Sequence, residues 1–306
     1  MLDWNDLRYF LAIHRTRSLS GAGRQLKVDQ TTVGRRLAAI EAALGARLFS
    51  RQTREFMLTT AGDAILPTAE RVEEAMLSLA RAVEGDDARL EGEVRVTTNE
   101  AFANRILLPS LPALRRRHPA IQIEIVSDSR MLDLGRGEAD IAVRARRNAQ
   151  ENIVVKKIGV SAFGLYGSED YLARVGVPTS LDDLDGHDLI GYSDALGYLA
   201  AARWMANVAT ARRCVFRGNT ILSVAAAATE GIGLAVIPTF LGETDRALVR
   251  VLPGETIATL DVWTAVHQDV QRIARIRAVL RHIGDVFRAR AGILRGEPTG
   301  VRAAST

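Results

Sequence analysis

Basic and polar side chains share one face of a predicted helix near the N-terminus. From Gln30 to Leu44 the apolar residues follow a 4-3-4 spacing, which predicts one buried stripe made of Val33, Leu37, Ile40 and Leu44. Roughly opposite the stripe, at about 100° per residue, lie Thr31, Arg35 and Ala38, with Gln30 and Thr32 at the exposed start of the helix. Arginine beside small hydroxyl and amide side chains is the set that contacts phosphates and base edges in a DNA groove. This face is therefore a candidate surface for nucleic acid.

Two shorter predicted helices must position this face. The first covers residues 3–17 and starts at Asp3 or Asn5 as a cap, and the second is SGAGRQL, with Ser18 or Ser20 as its cap. Lys27 and Val28 then form a tight turn, and Asp29 caps the third helix. Two helices, a tight turn and a third helix with outward polar groups fit a helix-turn-helix, whose second element enters the major groove.

An extended stretch that ends at Leu58 follows the third helix. It is flanked by Arg47, Arg51 and Arg54, which suits a wing that reaches the phosphates. The alternative is a small helical core whose outward arginines are only solvated. Periodicity alone does not separate these two interpretations.

Residues 3–66 contain a long run that can be compared with known families almost without gaps: DLRYFLAIHRTRSLSGAGRQLKVDQTTVGRRLAAIEAALGARLFSRQTREFMLTTAGDAIL. This run resembles the N-terminal domain of the LysR-type transcriptional regulators. The resemblance implies a winged helix-turn-helix, a linker helix that dimerises, and a C-terminal effector domain with a periplasmic-binding-protein fold. Gly21, Gly23 and Gly34 stand where the family mostly has alanine or serine. Because a mid-helix glycine costs about 1 kcal/mol relative to alanine, we expect a less stable head.

Geometry and resemblance together give each candidate a role on double-stranded operator DNA. Arg35 is expected to read a guanine with two hydrogen bonds. Gln30, Thr31 and Thr32 are expected to contact base edges or phosphates near the start of the helix. Arg36 lies nearer the buried stripe, so it is assigned to a phosphate contact or to a salt bridge with Glu41. The wing arginines Arg51 and Arg54 are expected to position the protein without reading sequence.

The charge of the chain is unevenly distributed. The 306 residues suggest about two domains, and the net charge is +4. Residues 1–60 carry a net +5, residues 61–90 a net −4, and residues 91–306 a net +3, which indicates three parts with different partners. The single cysteine, Cys214, excludes an internal disulfide framework and multi-cysteine metal sites. No apolar run approaches the ~20 residues of a membrane span, and the N-terminus is not a signal peptide, so a soluble cytoplasmic protein with no membrane partner is expected.

A long helix is predicted from Thr59 or Thr60 to about Val83. Its apolar residues are spaced 4, 3, 4, 3 and 4, as in the seam of a coiled coil. The candidate dimerisation residues on this seam are Ile65, Val72, Met76, Leu79 and Val83. The alternative is an amphipathic helix packed on its own chain, and Pro67 is expected to bend the first turns. Residues 61–90 are therefore assigned to a linker and hinge between a head at 1–60 and a body.

From residue 91 strands and helices alternate, which is typical of an α/β sheet. Strands are predicted at 94–98, at 121–125 and at 139–144, with a helix at 104–118 between the first two. Further units are KKIGVSAFGLYG, SEDYLARVG, RCVFRG, TILSVAAAATEG, GIGLAVIP and DVWTAVHQD, followed by a last helix at 270–291. Residues 292–306 are expected to form a flexible tail.

The body also resembles the LysR-type effector domain, through GEVRVTTNE, LPALRRRHPAIQIEIV, GEADIAVR, EGIGLAVIP and VWTAVHQD. The resemblance implies two subdomains joined by crossing strands, residues 91–160 with 267–291 and residues 161–266. Ligands bind beyond the carboxyl ends of strands in such sheets, so the effector cleft is expected to be lined by Thr97, Thr98, Asn99, Arg144, Ser193, Asn219 and Thr220. A carboxylate is the candidate effector, with Arg144 as its counter-charge and the two helix-start threonines as donors. For each residue alone, ordinary strand-end or helix-cap chemistry is an equal alternative.

No catalytic constellation is present in the sequence. The five histidines have no metal-type spacing, and there is neither a G-x-S-x-G elbow nor a Walker lysine. The sequence therefore predicts no enzyme, no metal and no cofactor.

The sequence as a whole predicts an α+β multidomain protein: an N-terminal winged helix-turn-helix, a long linker helix and a C-terminal α/β effector domain of two subdomains. The expected function is a ligand-responsive, DNA-binding transcriptional regulator that assembles with itself as a dimer or tetramer, with RNA polymerase as a further candidate partner. One rival is a regulator without an effector. The other is a solute-binding module or enzyme of periplasmic-binding fold with an incidental basic head.

Overall fold

The computed structural model describes residues 3–51, 55–84, 88–127, 132–145, 147, 152–209 and 213–297. The chain divides into two compact units, Met1–Ala82 and Val83–Thr306. The first unit contains three helices, α1 (Trp4–Thr16), α2 (Leu19–Leu26) and α3 (Gln30–Leu44). The antiparallel strands β1 (Phe49–Arg51) and β2 (Phe56–Leu58) follow, and then the long helix α4 (Thr60–Glu84). This order confirms the predicted helix-turn-helix with a wing.

The three helices of the head enclose a small core. Phe10, Leu11, Val33 and Ile40 are fully buried there, as the helical spacing predicts. Leu44, by contrast, is 41% exposed. Its assignment to the buried stripe is wrong because α3 ends at this residue, beyond the helices that cover the rest of the stripe.

Each helix of the head starts at a predicted cap. The side chains of Asp3, Ser18 and Asp29 accept hydrogen bonds from the backbone N–H groups of Asn5, Gly21 and Thr31. Gly23 lies where the chain turns toward α3, and a Cβ at this position would lie 2.7 Å from the carbonyl oxygen of Val28. This close approach requires glycine, so the low helix propensity of Gly23 is compensated by the tight turn that it permits.

The first half of α4 packs on its own head. Ala69 is buried, and Ile65 and Val72 are half-buried against the head core. Arg15 of α1 forms a largely buried ion pair with Glu73. This packing explains the apolar stripe at Ile65 and Val72 within one chain, as the amphipathic alternative predicts. Farther along, Met76 and Leu79 are 44% and 65% exposed, and the side chain of Val83 is outside the described residues.

The second unit is built on one mixed sheet in the order β4-β3-β5-β11-β6-β9-β7-β8, with β10 also paired to β6. Its strands are β3 (Gly92–Thr98), β4 (Ile121–Ser127), β5 (Ile141–Arg144), β6 (Ile153–Ser168), β7 (Leu189–Tyr192), β8 (Cys214–Gly218), β9 (Leu234–Pro238), β10 (Leu248–Val251) and β11 (Ala258–His267). The predicted α/β alternation is confirmed. Strands β7 and β10 are not among the predicted elements.

The sheet has two lobes: the first contains β3, β4 and β5, and the second contains β7, β8, β9 and β10. Two long antiparallel strands, β6 and β11, cross from one lobe to the other. The end of β11, Trp263–Val266, pairs with β5 in the first lobe, whereas Phe163–Tyr166 of β6 pair with β9 in the second. The predicted subdomain boundary at 266/267 is therefore misplaced. Strand β11 changes lobes near the register shift between Val262 and Trp263.

Helices cover the sheet. They are α5 (Glu100–Phe102), α6 (Leu111–Arg117), α7 (Glu169–Val175), α8 (Ala200–Ala209), α9 (Ile221–Thr229), α10 (Thr239–Gly242), α11 (Ala274–Ala289) and α12 (Ala291–Arg295). The helix predicted at 104–118 is not continuous: a π-helical segment, Ala103–Leu107, and a 3₁₀ turn, Leu108–Ser110, precede α6. Pro109 and Pro112 lack the N–H groups that a regular helix needs here. Among the described residues, no helix is long and apolar enough to span a membrane.

The prediction of a flexible tail from Gly292 onward is wrong for the first residues of that segment. They form α12, in which Leu294 has no exposed surface. The hydroxyl of Thr239 donates to the carbonyl oxygen of Ile293 at 2.7 Å. Leu294 thus belongs to the core, and Ile293 packs against it. Residues 298–306 lie outside the described part of the chain.

We predict that Leu294→Ala destabilises the protein by about 2–5 kcal/mol, because it removes a fully buried side chain from a packed core. Urea unfolding followed by circular dichroism measures the change. Arg295→Ala, at an exposed position of the same helix, is the control and should stay within about 0.5 kcal/mol of the parent. Equal stability of both variants would contradict the docked position of α12.

Candidate DNA-binding surface and ligand cavity

The start of α3 presents a polar surface. Gln30, Thr31 and Arg35 are exposed and Thr32 is half-buried. The cap residue Asp29 accepts from the Thr31 N–H at 2.8 Å and from the Thr31 hydroxyl at 2.7 Å. These hydrogen bonds lower the pKa of the Asp29 carboxyl, so the cap stays ionised and holds the first turn of α3 in place.

Three cations around this turn have no acidic partner within the described part of the chain. They are Arg24 at the end of α2, Lys27 in the turn and Arg35 on α3, and all three are exposed. Arg35 is a predicted contact, whereas Arg24 and Lys27 are not among the predicted residues. Their position beside the turn could have indicated both residues. A side chain next to the start of α3, the helix expected to enter the major groove, lies near the DNA phosphates that Arg35 would approach.

Arg36 is half-buried against α1. Its guanidinium pairs with Asp6 of α1 at 3.1 Å and lies 6.0 Å from the centre of the Tyr9 ring. The predicted salt bridge between Arg36 and Glu41 is wrong, because Glu41 is occupied elsewhere. Arg36 therefore fixes α3 to α1, and its predicted phosphate contact has to come from the part of the side chain that stays exposed.

Glu41 attaches the wing to α3. Its buried carboxylate accepts from the backbone N–H of Leu48 at 2.8 Å and from Arg47 at 2.9 Å. Strand β1, which follows, pairs with β2. The backbone of Arg51 lies in β1, its side chain is outside the described residues, and Arg54 lies outside them entirely.

The second unit contains a cavity of about 380 Å³ between its two lobes. Asn99 and Phe102 line it from the first lobe, and Asn219, Thr220 and Phe240 line it from the second. The Phe102 and Phe240 rings stack with centroids 5.4 Å apart. Asn99 and Thr220 also cap α5 and α9. The cavity has the size and mixed apolar and polar lining of small-molecule sites.

Four of the predicted cleft residues are not on this wall. Thr97 and Thr98 are fully buried, and the Thr98 hydroxyl donates to the Val143 carbonyl oxygen at 3.0 Å. Arg144 donates to the Thr97 hydroxyl at 2.6 Å. Ser193 also lies off the wall, although its buried hydroxyl has no hydrogen-bond partner in the described chain. The structure thus unites Asn99, Asn219 and Thr220 and separates them from Thr97, Thr98, Arg144 and Ser193.

Two residues missed from the sequence give the cavity its chemical character. Ser161 of β6 belongs to the cavity wall and is 1% exposed, and its buried hydroxyl has no hydrogen-bond partner among the described residues. Glu100 is the only charged residue in the described lining. A serine in the middle of a strand carries no sequence signal for a site, because only the crossing of β6 between the lobes brings it to the cavity.

A winged helix-turn-helix and an α/β unit with a cavity between two lobes define a DNA-binding transcriptional regulator with an effector-binding domain. Residues 4–63 match the bacterial regulatory helix-turn-helix protein, lysR family, and residues 87–288 match the LysR substrate binding domain. The chain therefore belongs to the LysR family of transcriptional regulators. This confirms the family predicted from the sequence.

Relatives of this family extend over nearly the whole chain. The HTH-type transcriptional regulator PgrR of Escherichia coli K12 is 32% identical over 81% of this chain and 85% of its own length. The Mau operon transcriptional activator of Paracoccus denitrificans is 27% identical over 94% and 97%. The crystal structure of the full-length AphB N100E variant has the same fold, with a TM-score of 0.63 at 21% identity over 92% of this chain and 98% of that one. These relatives are transcriptional regulators, not enzymes.

We predict that Arg35→Ala reduces discrimination between a specific DNA site and random DNA by about 1–3 kcal/mol, the range for one bidentate base contact. The specific site is obtained by selection from a random library with the parent protein, and competition gel shifts measure the ratio. Arg35→Lys keeps the charge but loses the planar fork, so it should lose discrimination while keeping non-specific affinity. If Arg35→Lys discriminates as well as the parent, Arg35 contacts a phosphate and does not read a base.

Proposed function

We propose that the protein is a homo-oligomeric regulator whose DNA binding responds to an uncharged, largely apolar small molecule in the cavity between the two lobes. The observation that carries this proposal is Ser161, a residue of the cavity wall whose buried hydroxyl has no hydrogen-bond partner among the described residues. A buried hydroxyl without a hydrogen bond costs about 1–3 kcal/mol. A ligand that bonds to it removes this cost.

The charge of the lining supports an uncharged ligand. Glu100 is acidic, and no lysine or arginine is among the described residues of the wall. The cation expected to bind a carboxylate, Arg144, donates to Thr97 instead. A carboxylate effector would therefore lose its hydration without a described counter-charge, which is costly. The amide side chains of Asn99 and Asn219 suit a neutral ligand with its own donor or acceptor.

The position of the cavity supports a mechanism of regulation. A ligand that contacts Asn99 in one lobe and Asn219 in the other stabilises one relative orientation of the lobes, because it binds that orientation better. The crossing strands β6 and β11 are the connection that must bend between orientations. Through the oligomer, this movement changes the spacing of the DNA-binding heads on repeated half-sites.

The exposed half of α4 supports self-association. Ile65 and Val72 are used within the head, but Met76 and Leu79 present apolar surface on the next two turns. A second copy of the same helix would bury these side chains, as in a coiled coil. We therefore propose a dimer through this part of α4. A regulator of DNA acts where the chromosome is, so we place it in the cytoplasm, and contact with RNA polymerase stays a prediction.

We predict that Ser161→Leu abolishes ligand-induced stabilisation, because it removes the hydroxyl and the larger side chain takes up part of the ligand's space. The screen is a thermal-shift panel in which each carboxylate is paired with its amide and its amine. Amides should raise the Tm of the parent and of Ser161→Ala, which keeps the volume, although binding to Ser161→Ala should be about tenfold weaker through loss of one hydrogen bond. Specific DNA binding should survive in both variants. If only the carboxylates stabilise the parent, the proposal that the ligand is uncharged is wrong.

We predict that Met76→Glu with Leu79→Glu shifts the protein toward the monomer, because two buried like charges would face each other across the helix pair. Sedimentation equilibrium measures the mass. Glu74→Gln, on the opposite side of the same helix, is the control and should keep the parent mass. Unchanged association of the double variant would place the dimer contact outside this part of α4.

A further inference from the structure

A second cleft, of about 570 Å³, lies between α6 and α11 in the second unit. It shares no residue with the cavity between the lobes. Its basic lining consists of Arg117, His118, Arg272, Arg277, Arg281 and His282. No acidic residue is among its described lining residues.

Helix geometry explains why these cations converge. On α11, Ala274, Ala278 and His282 are four residues apart and share a face with Arg277 and Arg281. The two alanines have short side chains and form the apolar floor of the cleft, and the two arginines lie beside them on the same helix face. Leu90 and Leu114 add apolar surface from the neighbouring segments. The cleft therefore combines an apolar floor with a cationic rim.

The arginines of the rim are not neutralised by the described protein. No carboxylate of the described chain forms an ion pair with Arg117, Arg272, Arg277 or Arg281. Asp285 within α11 binds Arg288, and Asp269 before α11 lies within ion-pair distance of His267. Like charges gathered without a counter-ion repel one another and destabilise the fold.

Local helix electrostatics account for only part of this arrangement. Arg117 ends α6, where a cation is favourable, but Arg272 and Arg277 flank the start of α11, where a cation is unfavourable. His282 is buried and its ring nitrogen is 3.0 Å from the Ser110 hydroxyl. Burial, and then the charge of Arg117, lower the pKa of His282. The ring therefore adds no charge near neutral pH, and the excess charge resides on the arginines.

We propose that this cleft binds a small organic phosphate, with the phosphate held by Arg277 and Arg281 and the carbon skeleton on the alanine floor. Guanidinium groups bind phosphate oxygens in pairs, which suits Arg more than Lys. The volume lies in the range of metabolite sites. A concave cleft can surround one small anion, whereas a DNA duplex would rest on its rim. Residues 88 and 90 line the cleft just after α4, so the ligand contacts the segment that joins the linker to the effector domain.

The test uses full-length protein and isothermal titration calorimetry at constant ionic strength, with phenyl phosphate and inorganic pyrophosphate as probes. Arg277→Gln with Arg281→Gln should weaken both probes by about tenfold or more. Arg288→Gln, on the same helix but outside the cleft, should bind as the parent does. Circular dichroism and the Tm of each variant exclude a folding defect. Ser161→Leu should also bind both probes normally, which separates this site from the proposed effector cavity.

Four results would overturn the proposal. The first is no binding of either probe to the parent, and the second is equal affinity in the double arginine variant. The third is a loss of non-specific DNA affinity in that variant without any probe binding, which would assign the cleft to duplex DNA. The fourth is probe binding only after the acidic residues Glu84, Asp86 and Asp87 are changed to their amides, which would make the chain's own hinge the occupant.

Discussion

The pairing of β6 with β11 is the interaction on which the effector domain depends. The two strands are antiparallel over ten residue pairs, and each continues from one lobe into the other. Strand β5 is attached to this pair on one side, and β9 and β10 on the other. Because no separate linker joins the lobes within the described sheet, their relative movement has to be a bend of this ribbon. Ser161 and Leu260 are paired on it and line the cavity, so the proposed ligand would contact the connection between the lobes.

Local signals in the sequence predict most of the head and the α/β alternation of the body. The caps at Asp3, Ser18 and Asp29 could be identified because a cap depends on residues two or three positions away. Periodicity reports which face is covered but not which partner covers it, so Ile65 and Val72 fitted a dimer seam and a contact with the head equally well. The same limit explains why the assignments of Leu44 to the buried stripe and of the residues of α12 to a flexible tail are wrong. Whether a terminal apolar residue is buried depends on elements that are distant in sequence.

The candidate sites show the same division between local and distant information. Asn99, Asn219 and Thr220 could be predicted because strand ends and helix starts line ligand clefts in open sheets. Thr98 is absent from the described cavity wall because its hydroxyl bonds to the neighbouring strand. The predicted salt bridge from Arg36 to Glu41 is wrong because Arg36 pairs with Asp6, thirty residues away on another helix. Ser161 had no signal at all, since it is one residue within a long strand. Predictions from chain position thus find the cavity residues at strand ends and helix starts and miss the one within a strand.

The two clefts of the effector domain are chemically opposite, and this difference constrains how signals can reach the DNA. The cavity between the lobes has one acidic residue and no cation in its described wall, whereas the described lining of the cleft beside α11 has four arginines and no acidic residue. The described residues therefore favour an uncharged ligand in the first and an anionic ligand in the second, as proposed above. Because the first cavity joins both lobes and the second borders the segment after α4, the two ligands would act at different points. Under the two proposals, the first ligand would bias the orientation of the lobes, and the second would contact the segment that follows α4.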